Sequence, residues 1–349
     1  MELNICKMKE KTHILLLFSV ILLLFIAGCE GGGDVTSGAP TTPFLGGSEG
    51  LVVGFLEGNP PEEVTDGDTF PFQAVVSLKN MGEYDVETTD AKISLSGFFA
   101  PLFQSDSPAD FDVADLIDKP LPDILKGRQR DSEGNIIESV EMILTFPTDT
   151  KSFQFKGRLE GNTIFDGTFR ADVCYKYQTK VVSEICVLAN QIDVANDAVC
   201  EPNGPKAVFS SGSPLQVTSF KQSVVGKDSI QLSFDVAHSS SGNVFDPTTV
   251  ADCPKTPTER RTKEDKVKVT IDTGLTADKL RCVGLANVAD ATTSKQEGVV
   301  KLVNGKRTIT CTQDLDTGRT DFKKSADITL DFNYLSSTDE RILVKHLID

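Results

Sequence analysis

Eight cysteines are spread over the 349 residues, and six of them, Cys174, Cys186, Cys200, Cys253, Cys282 and Cys311, fall between residues 174 and 311. Thiols ligate metal, attack as nucleophiles or pair by oxidation. Ligation by cysteine clusters uses close spacings such as C-x₂-C, often completed by histidine. No C-x₂-C pair occurs, and past residue 28 the only histidines are His238 and His346. No metal or other cofactor is expected. His238 sits in "AHSSSGN" and His346 lies near the C-terminus, neither within a G-x-S-x-G or S-x-x-K context. The expected set of catalytic residues is empty, and the chain is not expected to be an enzyme. The glycines of "EGGGD" (30–34) lie outside any strand–helix setting that would cradle a phosphate. Two acidic loops, with Asp66 and Asp68 in "TDGD" and Asp314 and Asp316 in "DLDTG", offer oxygen ligands of the kind Ca²⁺ takes. Solvated turns braced by Asx hydrogen bonds are the favoured alternative.

Oxidative pairing remains for the six cysteines, which allow fifteen connectivities. "CYKYQTKVVSEIC" reads as a hairpin about Lys180 that sets Cys174 opposite Cys186, within disulfide range for a non-hydrogen-bonded antiparallel pair. Cys282 and Cys311 fall in two separate expected strands. Cys200 and Cys253, both beside prolines, are left to form a clasp.

The remaining two cysteines belong to the N-terminus. Cys6 lies in the N-terminal stretch where Lys7, Lys9 and Lys11 precede an apolar run from Ile14 to Ile26, which ends just before Cys29. A basic stretch followed by an apolar stretch is a secretory signal pattern, and about 13 residues is short of the roughly 20 needed to cross a membrane. Ile26-Ala27-Gly28-Cys29 resembles the lipobox of secreted lipoproteins. That resemblance implies cleavage after Gly28 and a diacylglyceryl thioether on Cys29, making membrane lipid a partner. Two acyl chains hold a protein on a membrane stably. An ordinary signal peptide with a fortuitous Cys29 is the alternative.

Residues 29–50, "CEGGGDVTSGAPTTPFLGGSEG", contain little to bury and read as a flexible tether. With residues 1–28 removed, 32 Lys and Arg face 49 Asp and Glu, a net charge of −17. Nucleic acid is excluded as an expected partner by this charge. Some 320 mature residues exceed what one core usually organises, so two domains are expected, at 51–200 and 206–349. The break is placed at Pro202, Asn203, Gly204 and Pro205.

Alternation of apolar and polar residues, the signature of a half-buried strand, runs through both parts. In the first it marks 70–79, 84–98, 138–147, 151–159, 168–180 and 181–189. In the second it marks 215–224, 228–245, 265–272, 280–285, 298–314 and 326–335. Asn80-Met81-Gly82 suits a positive-φ turn, and Asn304-Gly305 suits a type I′ hairpin. Only "FDVADLIDK" (111–119) suggests a short helix, and 118–135 reads as a long surface loop. The expected fold is all-β, two antiparallel Ig-like β-sandwiches.

The segment 52–86, "VVGFLEGNPPEEVTDGDTFPFQAVVSLKNMGEYDV", resembles the opening of Ig-like modules in archaeal and bacterial surface proteins. With the lipobox, the tether, "VCYKYQT" and "TITCTQDL", the chain is similar to uncharacterised lipoproteins of small-genome archaea. The resemblance implies the fold and a place on the extracytoplasmic face of the cell membrane, and it transfers no active site. Ig-like sandwiches offer loops and sheet faces to partners without chemistry, so the expected role is a structural, adhesive or ligand-binding surface module toward other surface proteins or glycans. A secreted hydrolase with sequence-distant carboxylates, or a subunit of a surface assembly such as a pilus, stands as the alternative.

Overall fold

The computed structural model describes residues 42–106, 112–247, 251–276, 280–286 and 294–346. The N-terminal signal, Cys29 and most of the expected tether lie outside these residues. Alternation becomes strand along most of the chain. The first ten strands are β1 (Leu51–Phe55), β2 (Glu63–Thr65), β3 (Ala74–Asn80), β4 (Ala91–Ser96), β5 (Phe103–Ser105), β6 (Gln129–Arg130), β7 (Ile136–Ile137), β8 (Met142–Phe146), β9 (Phe153–Phe155) and β10 (Ile164–Val187). There follow β11 (Gly204–Pro205), β12 (Val208–Ser210), β13 (Leu215–Gly226), β14 (Ser229–His238), β15 (Asn243–Phe245), β16 (Lys266–Asp272), β17 (Arg281–Val283), β18 (Lys295–Lys301), β19 (Lys306–Asp314) and β20 (Phe322–Lys345). One short helix, α1 (Pro257–Lys263), precedes β16.

The spine is a ribbon of two 24-residue strands, β10 and β20, paired antiparallel from Ile164↔Lys345 to Val187↔Phe322 without a register break. At about 3.3 Å per residue it is roughly 75 Å long. Side chains alternate strictly. On β10 the odd positions Phe169, Ala171, Val173, Tyr175, Tyr177, Thr179, Val181, Ser183, Ile185 and Val187 are buried. Their counterparts on β20 are even, among them Ala326, Ile328, Leu330, Phe332, Tyr334, Ile342 and Val344. One face of the ribbon is therefore core over nearly its whole length, and the opposite face carries the polar residues.

The second half of β10 and the first half of β20 join β12, β16 and β18 in one sheet. A second, antiparallel sheet of order β11-β13-β14-β19-β17 packs with it. Buried polar side chains tie the two together: Thr179 Oγ1 donates to the Leu215 carbonyl (2.8 Å), and Gln222 bonds both the amide and the carbonyl of Cys186. The other half of the ribbon pairs with β4, β15 and, in parallel, β2. Its core face meets phenylalanines. Phe169 lies within ring-contact distance of Phe72, Phe98, Phe103 and Phe153, with centroids 4.5–5.9 Å apart. The sheet β1-β3-β8 and the pair β5-β9 belong to this half.

Between the halves stand all four tyrosines of the chain. Tyr84, Tyr177, Tyr175 and Tyr334 form a column with successive centroids 5.4–5.6 Å apart, ending on His238. Each buried hydroxyl has a partner, as burial requires: Leu51 N donates to Tyr175, Tyr177 donates to Asn80 Oδ1, and Gly242 N donates to Tyr334. A Cβ on Gly82 would fall 2.0 Å from the Tyr177 hydroxyl oxygen. Close approach, rather than the positive φ expected at 80–82, is what requires glycine there, since none of these three residues is in the left-handed region.

Other expectations are corrected as well. There is no hairpin at Lys180; 168–180 and 181–189 are one strand up to Val187. The expected boundary at 202–205 falls inside one compact unit that runs from Thr42 onward, because β20 returns to pair with β10 across it. Pro43 to Gly50, expected in the tether, dock on the fold: Leu45 N and Gly46 N both donate to the Glu83 carboxylate at 2.9 Å. Asn304 and Gly305 do take positive φ (52° and 74°). Their turn passes the chain from β18 in one sheet to β19 in the other instead of closing a two-stranded hairpin. Within 112–119 the expected helix is a single 3₁₀ turn over Val113–Asp115.

Candidate functional site

The outer face of the ribbon holds a groove of about 580 Å³. Its floor is a patch of three strands set by register. Lys92, Ser94 and Ser96 on β4 lie opposite Cys174, Asp172 and Arg170 on β10. These in turn lie opposite Leu335, Ser337 and Asp339 on β20. With neighbouring strands about 4.8 Å apart and same-face residues about 6.8 Å apart along each strand, the result is a compact grid of nine outward positions, most of them polar.

Inside the grid the charges hold each other. Asp172 Oδ1 accepts from Arg170 Nε (2.8 Å) and Ser337 Oγ (2.7 Å), and Asp172 Oδ2 accepts from Ser96 Oγ (3.1 Å). Arg170 Nη2 also donates to Ser337 Oγ at 3.0 Å. The hydrogen bond to Asp172 raises the Arg170 pKa above an already high value, so the guanidinium stays charged. Lys92 has no ion-pair partner among the described residues.

Two walls rise from this floor. One is the segment 116–119, bridged to β4 through Ile93↔Lys119 and through Asp118 N, which donates to Ser94 Oγ at 3.0 Å. The other is 251–256 with α1. Its helix starts where Thr256 caps and Pro257 takes the first turn: Thr256 Oγ1 accepts from Glu259 N and donates to Glu259 Oε2. That pattern, T-P-x-E, is a capping signal legible in the sequence but passed over. The Cys174–Cys253 disulfide fastens this wall to the floor. Asn333, buried beneath, donates to the carbonyls of Asp246 and Asp252. Lys263 pairs with Asp252 at 2.6 Å and Arg260 with Glu264, contacts that raise the pKa of both cations. Lys255 Nζ stands 3.8 Å from Asp118 Oδ1, joining wall to wall.

All six expected cysteines are bonded, but two of the pairings differ. Cys174 pairs with Cys253 and Cys186 with Cys200, while Cys282 and Cys311, expected in two separate strands, pair directly across β17 and β19. Cys174 and Cys186 do share a face. They share a strand as well, twelve residues apart and so about 40 Å apart, which rules out a bond between them. The clasp between Cys200 and Cys253 is overturned for the same reason: Cys253 is bonded near the middle of β10, at Cys174, and Cys200 at its end, at Cys186.

The other residues singled out by sequence lie apart from the groove. His238 Nε2 is 2.9 Å from the Tyr334 hydroxyl, and burial lowers its pKa. His346 Nδ1 is 2.9 Å from Asp66 Oδ2. Asp66 is only 2% exposed and also accepts from Leu159 N, so it is a buried tie between β2 and the end of β20 and not a solvated turn. Asp314 accepts from Ser229 and Arg281, and the Asp316 carbonyl from Arg319. Among the described residues no group of three or more His, Cys, Asp and Glu is placed to hold a metal ion.

The chain matches no family model, and no curated protein matches it. What the molecule itself shows is an all-β chain with three disulfides, a mark of an oxidising, extracellular environment. No helix among the described residues is long and apolar enough to cross a membrane.

Proposed function

We propose that this protein is a lipid-anchored, surface-displayed binding module, held at the extracytoplasmic face of the membrane through an acylated Cys29 and presenting the outer face of the β10/β20 ribbon to ligands. The groove is the observation that carries the reading. Its floor is prearranged by sheet register and ion pairing, and its far wall is fixed by a disulfide, so little ordering is lost when a ligand binds. The N-terminal sequence supports the address: a basic stretch, an apolar stretch and I-A-G-C precede a segment with little to bury.

The test of the address is fractionation of cells making the protein with Cys29 intact or as Cys29→Ser. The native protein is expected in the membrane fraction, accessible to protease added outside the cell, with the variant unprocessed or released. Membrane association unchanged in Cys29→Ser overturns the anchor.

A further inference from the structure

The net charge of the chain is −16, with 35 Lys and Arg against 51 Asp and Glu. The groove departs from this balance. Four cations line it, Lys92, Arg170, Lys255 and Arg260, against four carboxylates, Asp118, Asp172, Asp252 and Glu259. The two signs are not equally free. Asp172 is occupied by Arg170, Ser337 and Ser96, and Asp252 by Lys263. Lys92, by contrast, makes no ion pair among the described residues. Each arginine has five N–H donors: Arg170 uses Nε and Nη2 on Asp172 and Ser337, and Arg260 uses Nε and Nη2 on Glu264. Both guanidiniums line the groove: Arg260 keeps Nη1 over, and Nη1 of Arg170 meets only the Asp339 carboxylate at 3.9 Å, beyond hydrogen-bond distance.

Spare cationic donors beside hydroxyls and lightly engaged carboxylates describe a particular ligand. A phosphate-rich or uniformly anionic partner would meet Asp118 and Glu259 as repulsion. A neutral sugar would leave Lys92 unanswered. The apolar lining amounts to Ile117, Ala251, Pro254 and Leu335, too little to seat the side chains of a peptide. A sugar ring bearing one acid and several hydroxyls meets every group. Beyond Arg170 and Leu335 a second hollow of about 240 Å³ continues past Ser240, Ser241 and Asn243 to Glu49, room for the chain to extend.

We propose that the groove binds an acidic oligosaccharide, its carboxylate or sulfate held by Lys92, Arg170 and Arg260 and its hydroxyls by Ser94, Asp118 and Glu259. This rests on the reading of the protein as a surface binding module and names its ligand class.

The test is calorimetric titration of the full-length protein in detergent with trigalacturonate, a sialylated trisaccharide and a sulfated disaccharide, each beside its methyl-esterified or desulfated counterpart. At least one acidic member is expected to bind, and its neutralised form to bind about tenfold more weakly or worse, the loss of one charge-assisted contact. Lys92→Gln, which removes an amine with no ion pair of its own, is expected to weaken binding to a similar degree. Lys301→Gln, at an exposed position on β18, is expected to leave it unchanged. Binding by no acidic member overturns the proposal. So does equal binding of charged and neutralised forms, equal effects of the two lysine variants, or equal binding of a polyglutamate peptide. Fractionation of Cys29→Ser is scored separately. A correctly displayed protein that binds none of these sugars refutes the ligand class alone, whereas sugar binding by a protein not displayed at the surface refutes the display and leaves the groove.

Discussion

The two faces of the β10/β20 ribbon are made from the same 24-residue strands and are stabilised in different ways. On the inner face, odd residues of β10 and even residues of β20 pack into one continuous core, with Phe169 in contact with four other rings. Among the described residues no second sheet covers the outer face. There Cys174 and Cys186, each at an even position, bind loops that fold back over the ribbon, and polar side chains satisfy one another. The buried inner face of the ribbon carries no cysteine. Where a segment lies on a polar surface, a disulfide substitutes for the missing core, and that surface stays open to a ligand.

The largest expected effect is on the inner face. Phe169→Ala removes a fully buried ring and should cost about 3–5 kcal/mol in denaturant unfolding. Lys92→Gln, on the outer face of neighbouring β4, should stay within about 0.5 kcal/mol. Similar losses in the two variants would break the distinction between the faces. Next come the staples. Cys174 and Cys253 are 79 residues apart in sequence, and Cys186 and Cys200 are 14 apart. In the chain-entropy model their bonds stabilise by roughly 4.5 and 3 kcal/mol. Paired serine replacement at 174 and 253 should therefore lower stability more than at 186 and 200, each by up to these amounts, as read by denaturation of the oxidised variants. The reverse order would show that native contacts of the loops, and not chain closure, set the effect.

The smallest effect is on pH dependence at the column of tyrosines. His238 is half-buried against Tyr334, with Asp265 the one nearby acid favouring its charge, and burial holds its pKa below the ordinary 6.5. The unfolded chain therefore binds a proton that the folded chain refuses. This contribution is complete above pH 6.5 and is lost as pH falls through 6.5 toward the lower folded value. His238→Gln should flatten that part of the stability profile, followed by thermal unfolding between pH 5 and 8. An unchanged slope would assign the dependence to other groups.

Much of the strand content was legible because period-two alternation survives wherever one face is buried. The continuity of β10 was legible too, in a signal that was passed over. Val181, Ile185 and Val187 keep the odd phase of Phe169, Val173 and Tyr177, and 178–181, Gln-Thr-Lys-Val, contains no residue that favours a turn. A hairpin would have needed both a turn and a reset of phase. The partners of β10 were not legible. Its pairing with β20 joins residues up to 181 apart in sequence, and no local pattern encodes which long strand meets which. The groove was hidden for the same reason. Arg170 and Asp172 stand out as polar residues within a strand, but the segments 116–119 and 251–260 that make them a site arrive from distant parts of the chain. The Cys282–Cys311 pair was accessible because both cysteines lie in strands of one sheet, while the other two bonds depend on where loops return.

The unbroken ribbon is tested most directly by non-reducing peptide mapping of the full-length protein. A continuous β10 predicts peptides joining Cys174 to Cys253, Cys186 to Cys200 and Cys282 to Cys311. A peptide joining Cys174 to Cys186 would require the chain to reverse near Lys180, and would contradict the ribbon and the groove laid on it.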